Sequence, residues 1–419
     1  MESKLKKEKQ KALPEGWEMV RLGEVADFKN GINFTPSEGQ NLIQVLGVGD
    51  FKDFSLLSQC KSIPFLSIDK NIDESYFLKK NDLVFVRFNG NKNLVGRCIL
   101  INSNEKFLTH SGFTIRARLQ KKANFIPEYI SLLMQYGVLK KSLKRDGRGT
   151  NISNLNQEML GNVLIPNIPL PQQKKIVSIL DTWSEAIEKL EKLIELKKKR
   201  FEWVRDKVFF DLNFIKNSEN VRRSTLGDLG EAFSGLVSIS KDDLGNGSSF
   251  IPYTNIFSNY SVDINSLEKV NLESNNKKQN LVEKGDVFFT ISSEIPSEVG
   301  VSSVLCDDIE ESVYLNSFCF GWRSKIKFDL DFLKYYFRSR VFRKQIIKLG
   351  QGATRFNISK NQVLKLEIVF PKEISKQREI SIRLMLLHRD YENNIRNLNL
   401  LKKQKQGLMQ KLLSGEILV

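Results

Sequence analysis

At 419 residues the chain exceeds what one ordinary hydrophobic core supports, so two or three domains are the starting expectation. With 41% hydrophobic and 27% charged residues, extended disorder and fibrous repeats are excluded. Lys and Arg outnumber Asp and Glu by 65 to 49, and the net charge of +16 favours a polyanionic partner, either nucleic acid or an acidic membrane surface.

Residues 1–13 form a lysine-rich leader without an apolar stretch of signal-peptide length, and no apolar run of about 18 residues follows, so a cytoplasmic protein with no membrane partner is expected. A first globule is predicted over 14–171 and opens with LGEVADF at Leu22 to Phe28. NDLVFVRF at Asn81 to Phe88 reads as a turn feeding a strand. The segment Asn89-Gly90-Asn91-Lys92-Asn93 joins it to a second strand-like run, with Arg87 and Arg97 on either side. Such a tip suits a DNA groove, because Arg matches guanine and Asn matches adenine in two-point hydrogen bonding. It also suits a plain surface hairpin. Next comes a polar loop, Arg145-Asp146-Gly147-Arg148-Gly149-Thr150-Asn151. Its glycines allow close backbone approach, and Arg145, Arg148, Thr150 and Asn151 supply donors for phosphates and base edges. After a strand-like VLIP ending at Pro166, a helix is predicted over 172–215. Ile176, Leu180, Trp183, Ile187, Leu190 and Ile194 alternate steps of four and three, the pattern of a heptad seam, which resumes at Phe201, Val204 and Val208.

The chain then repeats itself, with a second globule expected over 216–375 and a second helix with a closing terminal segment over 376–419. LGDLGEAF begins at Leu226, 204 residues after Leu22, and Asp286 of KGDVFFTI stands 204 after Asp82. Asn151-Ile152-Ser153 is answered by Asn357-Ile358-Ser359, and VLIP by the IVFP ending at Pro371. The glycine-rich loop recurs as Gly350-Gln351-Gly352-Ala353-Thr354-Arg355-Phe356-Asn357. Thr354, Arg355 and Asn357, together with Ser292, Ser293 and Lys360, complete the candidate DNA-contacting set. In the second helix Ile380, Leu384, Leu387, Tyr391 and Leu398 each lie 204 beyond a seam residue of the first, and the stripe runs on through Leu401, Leu408 and Leu412. Either stripe alone is what the core face of an ordinary helix looks like. Their length, shared register and position after each globule favour an antiparallel coiled-coil spacer. The expected fold class is therefore α+β: two tandem globules of mixed strands and short helices, each followed by a long α-helix. Between the landmarks, over Asn30 to Leu78 and Lys241 to Lys284, the copies share no convincing similarity. A retained frame with changed contents suits two unrelated half-sites.

Catalytic motifs are missing from the sequence. It contains no phosphate-binding glycine loop with Lys, no GxGxxG, HExxH or GxSxG, and no tetrapeptide that begins Asn-Pro-Pro or Asp-Pro-Pro. The ExK at Glu195 to Lys197 falls inside the helical seam. Cys60, Cys98, Cys306 and Cys319 are widely spaced and only His110 and His388 accompany them, so reduced thiols are expected and no zinc site. A nuclease or transposase would need a carboxylate cluster that does not stand out, and a purely structural coiled coil would not need duplicated polar loops.

LPEGWEMVRLGEVADFKNG at Leu13 to Gly31 resembles the start of a target-recognition domain in the specificity subunits of Type I restriction-modification enzymes. GLMQKLLSGEILV at Gly407 to Val419 resembles their terminal signature, and VLIPNIPLPQQKKIVSIL at Val163 to Leu180 is similar to the lead into their helical spacer. Where the family carries Glu-Gln in that lead-in, this chain has Gln172-Gln173 and Lys376-Gln377. The resemblance implies two target-recognition domains on double-stranded DNA, each reading part of a split target, with the helices setting the distance. It further implies two methyltransferase subunits along the spacer and motor-nuclease subunits in the full complex. S-adenosylmethionine, ATP and magnesium would belong to those partners, leaving this chain without cofactor or catalytic residue.

Overall fold

The computed structural model describes residues 14–33, 39, 41–52, 55–69, 71–138, 154–214, 219–272 and 278–419. The leader over 1–13 and the candidates Arg145, Arg148, Thr150 and Asn151 lie outside them. The chain forms two compact units, the first made of residues 1–189 with 399–419 and the second of residues 190–398. Among the described residues no helix is long and apolar enough to cross a membrane.

In the first unit, strand Glu18–Arg21 pairs antiparallel with Leu164–Asn167 and leads into the short helix Leu22–Val25. Gly23 packs closely there: a Cβ would stand 3.2 Å from the Cα of Gly161 on helix Gln157–Gly161. A five-stranded sheet follows in the order Ala26–Asn30, Thr114–Leu119, Leu83–Val86, Cys98–Ile101, Leu56–Leu57, with only the last pair parallel. Strand Leu83–Val86 is buried on both faces. Leu83 and Phe85 enter the core that includes helix Pro127–Gln135, whereas Val84 and Val86 enter a second core with Phe51, Ile99 and Leu108. Successive side chains of a strand face opposite ways, so a strand packed on both sides must be apolar throughout. A three-stranded sheet, Phe65–Ile68, Asn41–Leu46, Leu108–His110, has its middle strand antiparallel to the first and parallel to the last.

The second unit rebuilds this frame. Val221–Thr225 pairs with Glu367–Pro371, and an antiparallel sheet runs Gly230–Ser234, Cys319–Ser324, Val287–Thr290, Ser302–Val304. The three-stranded sheet returns as Glu268–Val270, Leu244–Ile251, Val313–Leu315, with the same antiparallel and parallel pairings. Segments without convincing sequence similarity thus adopt one topology. In both copies an aspartate just before the central strand is buried and paired: Asp82 receives Arg118 at 2.7 Å and the Lys79 N–H, and Asp286 receives Arg323 at 2.7 Å and the Glu283 N–H.

Backbone pairing corrects the register of the repeat. Leu155 N donates to Arg87 O at 2.8 Å, as Ile358 N donates to Ile291 O at 3.0 Å, and each is followed by a short helix, Gln157–Gly161 or Lys360–Val363. The counterpart of Asn357-Ile358-Ser359 is therefore Asn154-Leu155-Asn156, not Asn151-Ile152-Ser153. Similarly, Leu22 N donates to Val163 O and Leu226 N to Leu366 O, which aligns Val163–Pro166 with Leu366–Val369 and not with the IVFP ending at Pro371. Hydrogen-bond ladders fix which residues are equivalent, and short word matches slipped by two or three positions against them.

The two long helices, Leu170–Phe214 and Ile374–Leu413, span 45 and 40 residues, about 68 and 60 Å at the standard helical rise. They pair antiparallel. In the first unit Lys405 Nζ donates to Ser184 Oγ at 2.7 Å; in the second Lys197 Nζ meets Asp390 at 2.7 Å, and the Phe201 ring stacks on His388 with centroids 4.8 Å apart. Of the seam residues, Ile176, Leu180 and Leu384 are buried, while Trp183, Ile187, Leu190, Ile194, Ile380, Leu387, Tyr391 and Leu398 are half-buried. The end of each helix completes a globular core: Leu412 and Leu413 join Ile176 and Leu180 in the first unit, and Phe209 and Leu212 join Leu384 in the second.

A buried glutamine fastens the start of each helix. Gln173 Oε1 accepts from Ile126 N at 2.9 Å while its Nε2 donates to Asn124 O and Ile168 O, each at 2.8 Å. Gln377 accepts from Asp329 N at 3.0 Å and donates to Pro371 O at 2.8 Å. Replacing either by Leu strands these buried backbone groups and is expected to cost about 2 kcal/mol or more. Denaturant titration of Gln173→Leu and Gln377→Leu measures the loss, and unchanged midpoints in both would refute this role.

Candidate nucleic-acid interface

In each unit the central strand ends where a distant loop returns to meet it. Phe88 bridges Asn154 in the first unit, and Ser292–Ser293 pairs antiparallel with Phe356–Asn357 in the second. In the second unit the fold therefore brings the strand-end candidates Ser292 and Ser293 to the loop candidate Asn357, although more than 60 residues separate them in sequence.

The tip of the first unit joins the antiparallel strands Leu83–Val86 and Cys98–Ile101. Asn89 Oδ1 accepts from Asn91 N at 2.8 Å, and Asn91 Oδ1 from Asn93 N at 3.0 Å. These Asx turns consume the amide oxygens and leave the NH2 groups as donors. Asn91, Lys92 and Arg97 are exposed and Arg87 and Asn89 half-exposed. Arg97 is partly committed, since its Nη1 donates to Phe51 O at 3.0 Å.

In the second unit Thr354, Arg355 and Asn357 are exposed, and Asn357 Nδ2 donates to Arg355 O at 3.3 Å. An open cleft of about 370 Å³ is lined by Tyr253, Ser293, Glu294, Glu298, Phe318 and Arg355 among others. Ser293 Oγ donates to Glu298 at 3.4 Å, and Lys360 Nζ donates to Ser234 Oγ at 2.9 Å. Ser292 departs from the expectation of a surface contact. It is buried, because its carbonyl accepts the Tyr253 hydroxyl at 3.2 Å and holds the segment inward.

Sequence reasoning missed Phe113 and Phe318, both exposed beside these loops, and the carboxylates of Glu294 and Glu298. The available signal was an apolar residue in a polar turn, Ser111-Gly112-Phe113-Thr114 and Asn316-Ser317-Phe318-Cys319, recurring 205 residues apart. Among the described residues no three His, Cys, Asp or Glu side chains converge as metal ligands. Cys60, Cys98 and Cys319 are buried, and burial pushes their thiols up from the ordinary value.

His110 is buried next to the first of these turns. Thr114 Oγ1 donates to Ser111 O at 2.7 Å and lies 2.9 Å from His110 Nδ1, so Nδ1 carries the proton and donates to it. Nε2 has no partner. Burial, reinforced by the charges of Arg116, Lys29 and Arg118, pushes the imidazole down from 6.5 to about 3. The unfolded chain protonates this group near its ordinary value and the folded chain does not until about pH 3. Acidification below pH 6.5 therefore favours unfolding, by up to about 1.4 kcal/mol per pH unit from this residue. Comparing the stabilities of the wild type and His110→Gln between pH 7 and 5 tests this, and parallel pH profiles would refute it.

Residues 14–198 and 218–400 each match the family described as the Type I restriction modification DNA specificity domain. The chain is 23% identical to the Type I restriction enzyme MjaVIII specificity subunit of Methanocaldococcus jannaschii, over 97% of this chain and 94% of the relative. It is 24% identical to that organism's putative MjaX specificity subunit, over 100% of this chain and 97% of the relative. Two solved structures share its fold. One comes from work on complex assembly and conformational transition of the type I R-M system, with a TM-score of 0.65, 16% identity, and coverage of 97% of this chain and 100% of that one. The other is the HsdS subunit from Thermoanaerobacter tengcongensis, with a TM-score of 0.54, 17% identity, and coverage of 98% and 100%. The duplicated frame and the family match agree on the same two halves, and the chain belongs to the Type I restriction-modification DNA specificity subunits.

Proposed function

We propose that each unit reads one half of a split, asymmetric target on double-stranded DNA, and that the long helices fix the half-site separation and receive two methyltransferase subunits. The observation that carries this reading is a single frame built twice around segments of unrelated sequence. Identical contents would suit a palindrome; these suit two different half-sites. Lys and Arg neutralise phosphates, giving affinity that falls steeply with salt, while loop residues address base edges in the major groove. If the units meet successive groove faces, the half-sites lie about 34 Å apart, one helical turn.

Docking is supported by the outward faces of the helices. Leu196 is 63% exposed and Leu400 58%, at positions 204 apart, and Trp203 is 67% exposed one heptad beyond Leu196. A helix meant to face only water would carry polar residues there. Matched leucines suit two copies of one partner. Motor-nuclease subunits complete the assembly, S-adenosylmethionine, ATP and magnesium act on the partners, and this chain performs no catalysis.

Co-expression with the methyltransferase subunit, followed by genome-wide methylation mapping, is expected to yield modified adenines in one asymmetric split motif with a fixed spacer. Methylation without such a motif would reject the reading. Lys92→Ala or Asn91→Ala should relax only one half of the motif, and Arg355→Ala only the other; if any of these changes blurs both halves, separate reading is wrong. Leu196→Glu combined with Trp203→Glu should prevent co-purification of the methyltransferase while leaving the thermal midpoint within about 1 °C, since exposed positions contribute little to stability.

A further inference from the structure

Phe113 and Phe318 are 55% and 54% exposed, and among the described residues they are the exposed aromatic pair that recurs at equivalent places in both units. The turns that carry them are held in shape. Ser111 Oγ accepts from Phe113 N at 3.3 Å, and Asn316 Oδ1 from Phe318 N at 2.9 Å. Their carbonyls accept the Arg87 and Ile291 N–H groups at 2.8 and 2.9 Å, which ties each turn to the strand end where the candidate contacts gather. Single exposed apolar side chains are common on protein surfaces, but here the ring is held out on an ordered turn at equivalent places in both units.

We propose that Phe113 and Phe318 are specificity-determining residues, each setting its ring against the C5 methyl group of a thymine in the half-site that its unit reads. This deepens the DNA-reading function proposed above and rests on it. A ring offers nothing to a phosphate, whereas the thymine methyl is the apolar group on the major-groove edge of a base pair. Donors suited to the purine acceptors of that groove are carried by the tip that follows the strand end tied to the Phe113 turn, the Asn89 and Asn91 amides, and by Arg355 beside Phe318. Neither ring is free on both faces to slide between base pairs. Phe113 lies against Phe88, with centroids 6.2 Å apart and planes at 32°, and the Arg355 guanidinium sits over Phe318 at 5.8 Å. Supported rings of this kind present an edge and flank to the groove, as contact with a methyl group requires.

The test uses the complex with the methyltransferase and the target found by methylation mapping, with each thymine replaced singly by deoxyuridine. In the unaltered complex, one position per half-site should weaken binding about fourfold, the worth of one buried methyl. F113A should abolish the sensitivity in one half-site and F318A in the other, while F113L and F318L keep part of it. A half-site lacking thymine, an unaltered complex indifferent to every deoxyuridine, or sensitivity that survives both alanine variants overturns the proposal. So does a rise in 2-aminopurine fluorescence that depends on the rings, which would mark a wedge that unstacks bases. The scan on the unaltered complex decides even if an alanine variant does not fold. Absence of any sequence preference in that complex would instead sink the DNA-reading function itself.

Discussion

A helix of 40 residues magnifies any slack at its root, and in both copies the root is held by the amide of a single buried glutamine. Gln173 and Gln377 can each accept a loop N–H and donate to a strand-end carbonyl at once, which neither Glu nor Leu can do. Their neighbours Gln172 and Lys376 differ, so what the two copies retain from the family lead-in is the residue with the two-sided hydrogen-bonding role. With the root fixed, the heptad seam has one register, and that register decides which side chains the far end of the opposing helix delivers to each core. Any outward docking face is set by the same anchoring, since rotating a helix about its axis moves every exposed residue together.

The two candidate surfaces share a scaffold and differ in chemistry. The first unit offers amide NH2 groups on Asx turns and an exposed lysine. The second places an arginine opposite two carboxylates, Glu294 and Glu298, in an open cleft. A carboxylate near DNA repels phosphates and is useful chiefly as an acceptor, for instance toward the cytosine amino group. Divergence of this kind costs the fold little because the central strands and the Asp–Arg pairs beneath it are retained. The loops can change as long as the pairing of Leu155 with Arg87, and of Ile358 with Ile291, is kept.

Much of this was legible in the sequence wherever periodicity carries the information. The duplication, the central strands and the seam all declare themselves through spacing, because burial of one stripe or two strand faces leaves a regular apolar imprint. The three-stranded sheets were not legible: their strands are joined by backbone hydrogen bonds that any side chain permits, and their partners lie far away in sequence. The slip at Asn151-Ile152-Ser153 has a related cause. Three polar and apolar letters recur easily, whereas the position that matters is the one whose N–H reaches Arg87 O. Ser292 looked like a surface donor because residue type does not reveal burial, and Phe113 and Phe318 were passed over for the converse reason.

The first unit draws residues from both ends of a 419-residue chain, and this bears on how the protein is made. A ribosome synthesises its sheets first, then the whole of the second unit, and only afterwards Leu412 and Leu413, which pack beside Ile176 and Leu180. At about 5–20 residues per second, the more than 200 intervening residues take about 10 to 40 s. For that interval the nascent first unit exposes the apolar surface that those leucines later cover.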